Sequence, residues 1–475
     1  MSEPTPIRHA IGIDIGTSAV KAALLSSTGT TDSETSRGYP TTSLRPGHAE
    51  QDPDRWWTAV GEVLTGLLAR NQDLDAANTT IGLTGQMHTT VLRDEAGALL
   101  RPAILWSDNR AAAECAALTS DVPQWADVTG NTLIPAFTAA HLAWVRADEP
   151  HVFERIHTIS VPKDEIRARL GAGWATEPSD ASAMSLLDTR TDEWATDLVA
   201  AVGIRLGALP PIVPSGHVTG HIQNLPGAGQ LSQLLGTPVI GGVGDQAAQA
   251  VALGVTGEGS LGLSIGTSGV AFGALTAPRP GSFRHAHPAT WLALDSTHAA
   301  GLALSWWSAI SRVAFDDVQP VDHSSGRPAP MFLPFIQGHR GGHGAPGTLT
   351  DLHVSHGARD IAAAVMEGVA LELVRLARSV AGPQPGRGEV GVGGRAGSIP
   401  GLRALIAAAL DRPVRFSDRG SAFGAAALAA QTAGWYDDFL AQATDTTTPT
   451  TPDARLAAQI GPRIRRYEQL IRELT

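Results

Sequence analysis

Residues 10–26, A-I-G-I-D-I-G-T-S-A-V-K-A-A-L-L-S, alternate in the strand manner on both sides of Gly16-Thr17-Ser18. That period of two predicts a β-hairpin whose tight turn offers backbone N–H groups and two hydroxyls. Asp14 points from the first strand toward the turn. Further apolar segments predict a helix at Val60–Leu68 and a strand at Thr80–Leu83, which leads into Gly85-Gln86-Met87-His88 and then Thr90–Leu92. Residues 99–110 read as strand-like and end in a polar cluster, and helices are expected around Arg110–Thr119, Ala136–Ala147 and Lys163–Leu170. Leu209–Gly229 is rich in Pro and Gly, and a domain boundary is expected near residue 236. Beyond it, Val239–Ala250 reads V-I-G-G-V-G-D-Q-A-A-Q-A: a short apolar run, three glycines, one carboxylate and an Ala-rich helical run. Later elements are a long amphipathic helix at Arg359–Ser379, a strand at Glu389–Val392, and helices at Leu402–Leu410 and Ala422–Ala433. Thr444–Pro452 is a Thr/Pro-rich connector, and Ala454–Leu474 is expected as a helix broken at Gly461-Pro462.

The opening hairpin recurs. With an offset of 250, Gly12, Ile15, Gly16, Thr17, Ser18 and Val20 return as Gly262, Ile265, Gly266, Thr267, Ser268 and Val270. One near-repeat is not a solenoid, whose period would be much shorter. It suggests a duplicated domain with a hairpin turn of the same kind in each half.

Composition agrees with two domains or more in a soluble globular protein. The chain has 475 residues, 43% hydrophobic and 17% charged. The net charge of −11 argues against a global nucleic-acid footprint. An anionic ligand would need local backbone amides, a lysine or a metal ion. Cys115 is the only cysteine, which excludes an intrachain disulfide framework and fits a reducing cytoplasm. The N-terminus lacks an apolar h-region, so no signal peptide is expected, and no apolar run reaches the roughly 18 residues of a bilayer span.

The chemistry follows from the turns and Asp245. Phosphate oxygens need clustered donors, and two G-T-S turns supply amides and hydroxyls without net charge. A carboxylate such as Asp14 cannot bind phosphate directly, but it can hold magnesium, usually through water. The plain alternative is two hairpins with ordinary small turn residues. Asp245, at a strand-to-helix junction, reads either as a general base or as an N-cap. No G-x-x-x-x-G-K-[ST] occurs, so the P-loop class is excluded. Gly391–Ala396 satisfies G-x-G-x-x-A with Asp411 twenty residues on, yet Pro400-Gly401 would delay the helix a dinucleotide site needs. His339, His343, His353 and His356 form no recognisable metal-ligand set. The tryptophans Trp56-Trp57, Trp106 and Trp306-Trp307 read as core or wall residues.

These features together resemble the FGGY family of carbohydrate kinases. The matching stretches are I-G-I-D-I-G-T-S with Lys21, E-Q-D-P-x-x-W-W (Glu50–Trp57), G-Q-M-H (Gly85–His88) and L-R-P-A-I-L-W-x-D (Leu100–Asp108). P-K-D (Pro162–Asp164), S-D-A-S (Ser179–Ser182), G-G-x-G-D (Gly241–Asp245), L-S-I-G-T-S-G-V (Leu263–Val270), V-G-G (Val392–Gly394) and G-x-A-x-G-A-A (Gly420–Ala426) complete the set. Met87-His88 leans toward the members that phosphorylate xylulose.

The resemblance implies an α/β fold of two ribonuclease-H-like domains of the actin/hexokinase/Hsp70 ATPase type, with ATP and sugar in the cleft between them. Residues 1–236 would carry the sugar site and the first phosphate turn. Residues 237–475 would carry the catalytic Asp, the second phosphate turn and the adenosine site. Asp245 would be the base, with Met87, His88 and Gln246 beside it at the sugar. Gly16, Thr17, Ser18, Gly266, Thr267 and Ser268 would hold ATP phosphates, Gly393-Gly394 would lie by the adenosine, and Asp14 would help hold Mg2+. The implied reaction is ATP-dependent phosphorylation of a ketopentose, D-xylulose first, giving the 5-phosphate. The alternatives are another ketose or polyol, or an actin-like ATPase module acting through partners. The expected partners are a small sugar and ATP, with no nucleic acid and no membrane, in a cytoplasmic protein for which a homodimer is allowed. Three stretches depart from the pattern. Gln246 stands where many relatives have Asn, Gln337–Gly342 reads Q-G-H-R-G-G for S-G-E-R-T-P, and G-G-R-A-G-S replaces G-G-G-A-R-S.

Overall fold

The computed structural model describes residues 8–27, 31–227, 229, 231–321, 323, 329–338, 346–382, 386, 388–434 and 448–474. His339, Arg340–Gly342 and His343 lie outside them, as does the first part of the 444–452 connector. The chain divides into two compact units. One takes the chain through Ala252, then Ala277–Trp291 and the segment opening at Ser421. The other takes Leu253–Thr276, Leu292–Gly420 and the C-terminal helix.

The first unit is built on a sheet of β1 (His9–Ile15), β2 (Ala19–Ser26), β3 (Thr31–Gly38), β4 (Thr79–Gly85), β5 (Val218–His221), β6 (Pro238–Ile240) and β7 (Val243–Gly244). Its order is β5-β6-β4-β1-β2-β3, with β7 also paired to β4. The first three strands run antiparallel in sequence, whereas β4 pairs in parallel with β1, β6 and β7. This pairing moves the expected boundary. Residue 236 precedes β6 and β7, which belong to the first sheet, so the unit runs on to Ala252 and keeps Asp245.

Both faces of β1 are covered. Ile11, Ile13 and Ile15 share a core with Trp56, Val60 and Leu64 of helix α1 (Pro53–Arg70). Its i, i+4, i+8 spacing makes the buried stripe. Asp52 accepts the Asp54 N–H and Pro53 opens the first turn, so the helix starts well before Val60. On the opposite face lies the helix Ser421–Thr432. A Cβ at Gly12 would stand 1.8 Å from Ala422 O, and one at Gly424 would stand 1.9 Å from Ala248 O. The G-x-A-x-G-A-A stretch is therefore a close-packing surface. The strand-like reading of 99–110 holds only at Ala103–Ile104, paired with Glu50–Gln51. The polar end folds inward instead: Asp108 is fully buried, takes the Ala49 N–H at 2.6 Å and pairs with Arg110 at 2.8 Å.

The second unit carries β8 (Leu261–Ile265), β9 (Gly269–Leu275), β10 (Trp291–Thr297), β11 (Val390–Gly393) and β12 (Val414–Ser417), in the order β10-β9-β8-β11-β12. The recurring hairpins share a sequence but not a register. Ile15 faces Val20, leaving four residues in the first turn, whereas Ile265 faces Gly269, leaving three in the second. The C-terminal helix runs unbroken from Ala454 to Leu474 with Pro462 inside it. Ile460, Tyr467 and Leu470 bury one side across the proline, and Arg463 pairs with Glu367 at 2.6 Å. Packing on both sides of Pro462 thus outweighs the one helical hydrogen bond the ring removes.

Candidate active site

Three strands of the first unit end side by side. Asp14 lies beside Thr84, and Thr84 beside Val243; one step on, Ile15, Gly85 and Gly244 are aligned. The loops leaving this edge are Gly16-Thr17-Ser18, Gln86-Met87-His88 and Asp245-Gln246. The carboxyl edge of parallel strands is where α/β sheets bind ligands. Residues about 70 and 160 positions apart in sequence thus meet through strand register.

Asp245 opens the helix Asp245–Ala252. Burial pushes its carboxyl up to about 6. The Gln246 side-chain amide and the main-chain N–H groups of Gln246 and Met87 pull the other way. The cap-like bond is compatible with a chemical role, because a helix N-terminus favours the ionised form. Gln246 is placed against Asp245 itself. Asp14 is pushed up to about 7, first by burial and next by the Asp245 charge, while Lys21 opposes. Its buried Oδ1 has no hydrogen-bond partner.

His88 has a left-handed backbone, φ 67°. Its Nδ1 lies 2.6 Å from Ala183 O, and its ring stacks on Phe137 with centroids 4.7 Å apart. Burial pushes the imidazole down to about 4, so the ring is neutral near pH 7. A neutral ring that donates from Nδ1 to a carbonyl leaves Nε2 as an acceptor. Met87 is buried.

The glycines before Asp245 are required by close packing of the protein against itself. A Cβ at Gly241 would lie 2.8 Å from Pro214 O, and one at Gly242 (φ +80°) 2.3 Å from Leu83 O. One at Gly244 would lie 2.9 Å from Met87 Cγ. The protein's own atoms fill the space.

The short helix Pro178–Ala183 ties these pieces together, a role the sequence did not reveal. Ser179 Oγ accepts the Gly244 N–H at 2.9 Å, Ser182 Oγ accepts the Arg284 N–H at 3.0 Å, and Ala183 O holds His88. Behind it, Lys163 is fully buried against Asp164 (2.7 Å), Asp180 (3.1 Å) and Glu177 (3.6 Å). Arg167 joins Asp164 and donates to Gly241 O at 2.5 Å. The P-K-D and S-D-A-S stretches are the two sides of this buried ionic cluster.

The first turn is also braced. Gly16 spends its N–H on Ala19 O, and its carbonyl accepts from Tyr39 and Gln86. Gln51 donates to Thr17 O at 2.6 Å and accepts from Trp56 Nε1 at 2.9 Å. Trp106 is 46% exposed and donates its indole N–H to Thr17 Oγ1 at 2.9 Å, so it is no core residue.

The second unit gathers its own signals at one sheet edge. Ser264 lies beside Gly393, so Gly266-Thr267-Ser268 and Gly393-Gly394 leave neighbouring strands together. A Cβ at Gly394 (φ +81°) would stand 2.6 Å from Ile265 O. The helix Gly301–Ser311 starts on the turn: Gly301 N–H donates to Gly266 O, and the Ala300 and Leu302 N–H groups to Thr267 O. Sequence reading missed this helix start, since A-A-G-L-A carries no capping side chain. After Gly393-Gly394 comes a 3-10 turn, and the next helix begins at Pro400, outside the G-x-G-x-x-A match.

The model of the FGGY carbohydrate-kinase N-terminal domain matches residues 9–252, which is also where the first unit's opening segment ends. The chain belongs to the FGGY family of carbohydrate kinases. It is 35% identical over 379 residues to the xylulose kinase of Escherichia coli K12, covering 76% of this chain and 77% of that one. It is 30% identical over 454 residues to the xylulose kinase of Bacillus subtilis 168, covering 91% and 89%. The crystal structure of xylulose kinase from Rhodospirillum rubrum superposes with a TM-score of 0.87 at 29% identity, over 98% of this chain and 99% of that one. The fold of this FGGY kinase is accordingly the actin/hexokinase/Hsp70 ATPase type. It is an enzyme that takes a sugar and ATP. No helix among the described residues is long and apolar enough to cross a membrane.

Proposed function

We propose that this kinase transfers the γ-phosphoryl group of ATP to the 5-hydroxyl of D-xylulose, giving D-xylulose 5-phosphate. The observation that carries the reading is the convergence of Met87-His88 and Asp245 at one sheet edge, in a chain whose relatives are named xylulose kinases.

Asp245 is the general base. With a carboxyl near 6 it is mostly ionised at pH 7 and more basic than an ordinary carboxylate. It takes the proton of the attacking hydroxyl as the new O–P bond forms and the bond to ADP breaks. His88 Nε2 accepts from a second sugar hydroxyl, and Met87 supplies an apolar wall; Gln246 orients the Asp245 carboxylate. In the first unit Thr17 and Ser18 supply phosphate donors; in the second unit the Gly266-Thr267-Ser268 turn supplies phosphate donors and Gly393-Gly394 lies against the adenosine. Phosphoryl transfer depends on such placement and charge neutralisation more than on covalent help.

Magnesium fits the residues present. Asp14 has a buried oxygen without a partner, and no cluster of three or more ligating side chains occurs among the described residues. An ion held by one carboxylate, water and the nucleotide's phosphates is the usual magnesium arrangement, and it supplies charge neutralisation on those phosphates. We also propose a cytoplasmic setting, with a homodimer allowed and no nucleic acid or membrane involved.

A coupled assay of ADP release across pentuloses, hexuloses and polyols tests the reading. D-xylulose is expected to give the highest kcat/KM. ATP turnover indifferent to every sugar would contradict it and favour an ATPase acting through protein partners.

A further inference from the structure

One segment of the first unit has no role in the reaction described so far. Ala277–Trp291 leaves the second unit's chain and returns to the first. Four polar ties hold it there. Gly281 N–H donates to Gly130 O at 2.8 Å, Asn131 Nδ2 to Ser282 O at 2.8 Å, Arg284 N–H to Ser182 Oγ at 3.0 Å, and the Arg284 guanidinium to Asp192 at 2.6 Å. Asn131 and Ser182 are themselves buried.

The residue fixed between these ties is Phe283. Its neighbours Ser282 and Arg284 are buried, yet Phe283 is only half-buried. Ser282–Arg284 is a short β-strand, so Phe283 faces the opposite side from its two buried neighbours, and there its ring stays half-buried. Its ring leans on His88 with centroids 5.9 Å apart and meets Phe137 edge-on at 6.3 Å. His88 therefore has Phe137 on one side, Ala183 O at Nδ1 and Phe283 on a further side. The ring that closes this cage keeps part of its surface open. The two ends of the cage share one anchor, because Ser182 holds the Phe283 segment and the adjoining Ala183 holds His88.

We propose that Phe283 is a specificity-determining wall of the sugar site, its open face taking the apolar C–H side of the ketose whose hydroxyl His88 binds. The inference rests on the sugar-site reading of His88. A ketopentose with a free 5-hydroxyl is open-chain and carries hydroxyls and C–H groups along one carbon backbone, so a polar acceptor beside an aromatic plane recognises both at once. A fixed ring beside the histidine also limits how long a chain fits. Pocket discrimination of one carbon unit reaches roughly 10–200-fold.

The test is a sugar panel on Phe283→Ala and Phe283→Leu, with ATP saturating and with the melting temperature of each variant recorded. For Phe283→Ala the KM for D-xylulose is expected to rise about tenfold, while the kcat/KM ratio of a ketohexose to D-xylulose rises by a similar factor. The ATP KM is expected to stay unchanged. Phe283→Leu keeps apolar bulk and is expected to fall between the two, which retains the test should the alanine variant not fold. An unchanged sugar KM and an unchanged ratio in a folded variant would overturn the inference. A uniform loss with every sugar at the same ratio would also overturn it, since it would make the ring structural only. Wild-type enzyme inactive on D-xylulose would instead overturn the reading on which the inference rests.

Discussion

Lys163→Met tests whether the buried ionic cluster holds the edge of the sheet that carries Asp245. In the wild type, two cations, Lys163 and Arg167, face three carboxylates, Asp164, Glu177 and Asp180, and every member is buried. Methionine keeps most of the volume and removes the charge that touches all three acids. Breaking a buried ion pair by removing one partner costs about 3–5 kcal/mol. At about 2–4 °C per kcal/mol for a domain of this size, the first unit's transition should fall by about 6–20 °C. The effect depends on pH in a definite direction. Burial pushes the Asp180 carboxyl up, Lys163 pulls it down, and Glu177 and Asp164 push it up again. Without Lys163 the pull is lost, so Asp180 takes up a proton more readily and relieves part of the excess negative charge. With the Asp180 carboxyl already pushed up to about 8, both proteins carry that proton near about pH 6, so the loss should be larger near about pH 9.5 than near about pH 6. Scanning calorimetry at the two pH values reads both effects. Lys163→Met combined with Asp180→Asn should recover part of the loss, because it removes one of the unpaired charges. A fall of less than about 2 °C, or equal falls at both pH values, would refute the reasoning.

Two further predictions concern the reaction. The kcat/KM for the sugar should fall about tenfold per pH unit below about 6, because Asp245 must be ionised to take the proton and its carboxyl is pushed up to about 6; a profile flat down to about pH 4.5 would remove it as the base. His88→Ala should raise the sugar KM about tenfold or more with the ATP KM unchanged, since the ring's acceptor nitrogen is lost, and an unaltered sugar response would take His88 out of the pocket.

Much of this was legible in the sequence, and the rest has physical reasons for being hidden. The hairpins at Gly16 and Gly266, the helix after Asp245 and the strand before Gly393 follow from local periodicity and turn residues. What local pattern cannot give is register. The one-residue difference between the two turns lies in pairing, not in composition. The assignment of Asp245 to the first unit depends on β6 and β7 joining a sheet whose other strands lie far back in the chain. Gly241, Gly242 and Gly244 look like space for a ligand until the carbonyls of Pro214 and Leu83 and the side chain of Met87 are seen against them. Ser179 and Ser182 carried a recognisable motif but no visible task, because their partners Gly244 and Arg284 stand 65 and 102 residues away. Pro462 misled in the opposite sense, as a local breaker overruled by packing at Ile460 and Tyr467.

Asp245 is proposed to take the proton of the attacking hydroxyl of D-xylulose. The most direct measurement is ADP release by Asp245→Asn with saturating D-xylulose, alongside its affinity for ATP. A rate lowered at least about 100-fold with ATP affinity retained is expected. A near-normal rate would contradict it and leave Asp245 as a helix cap alone.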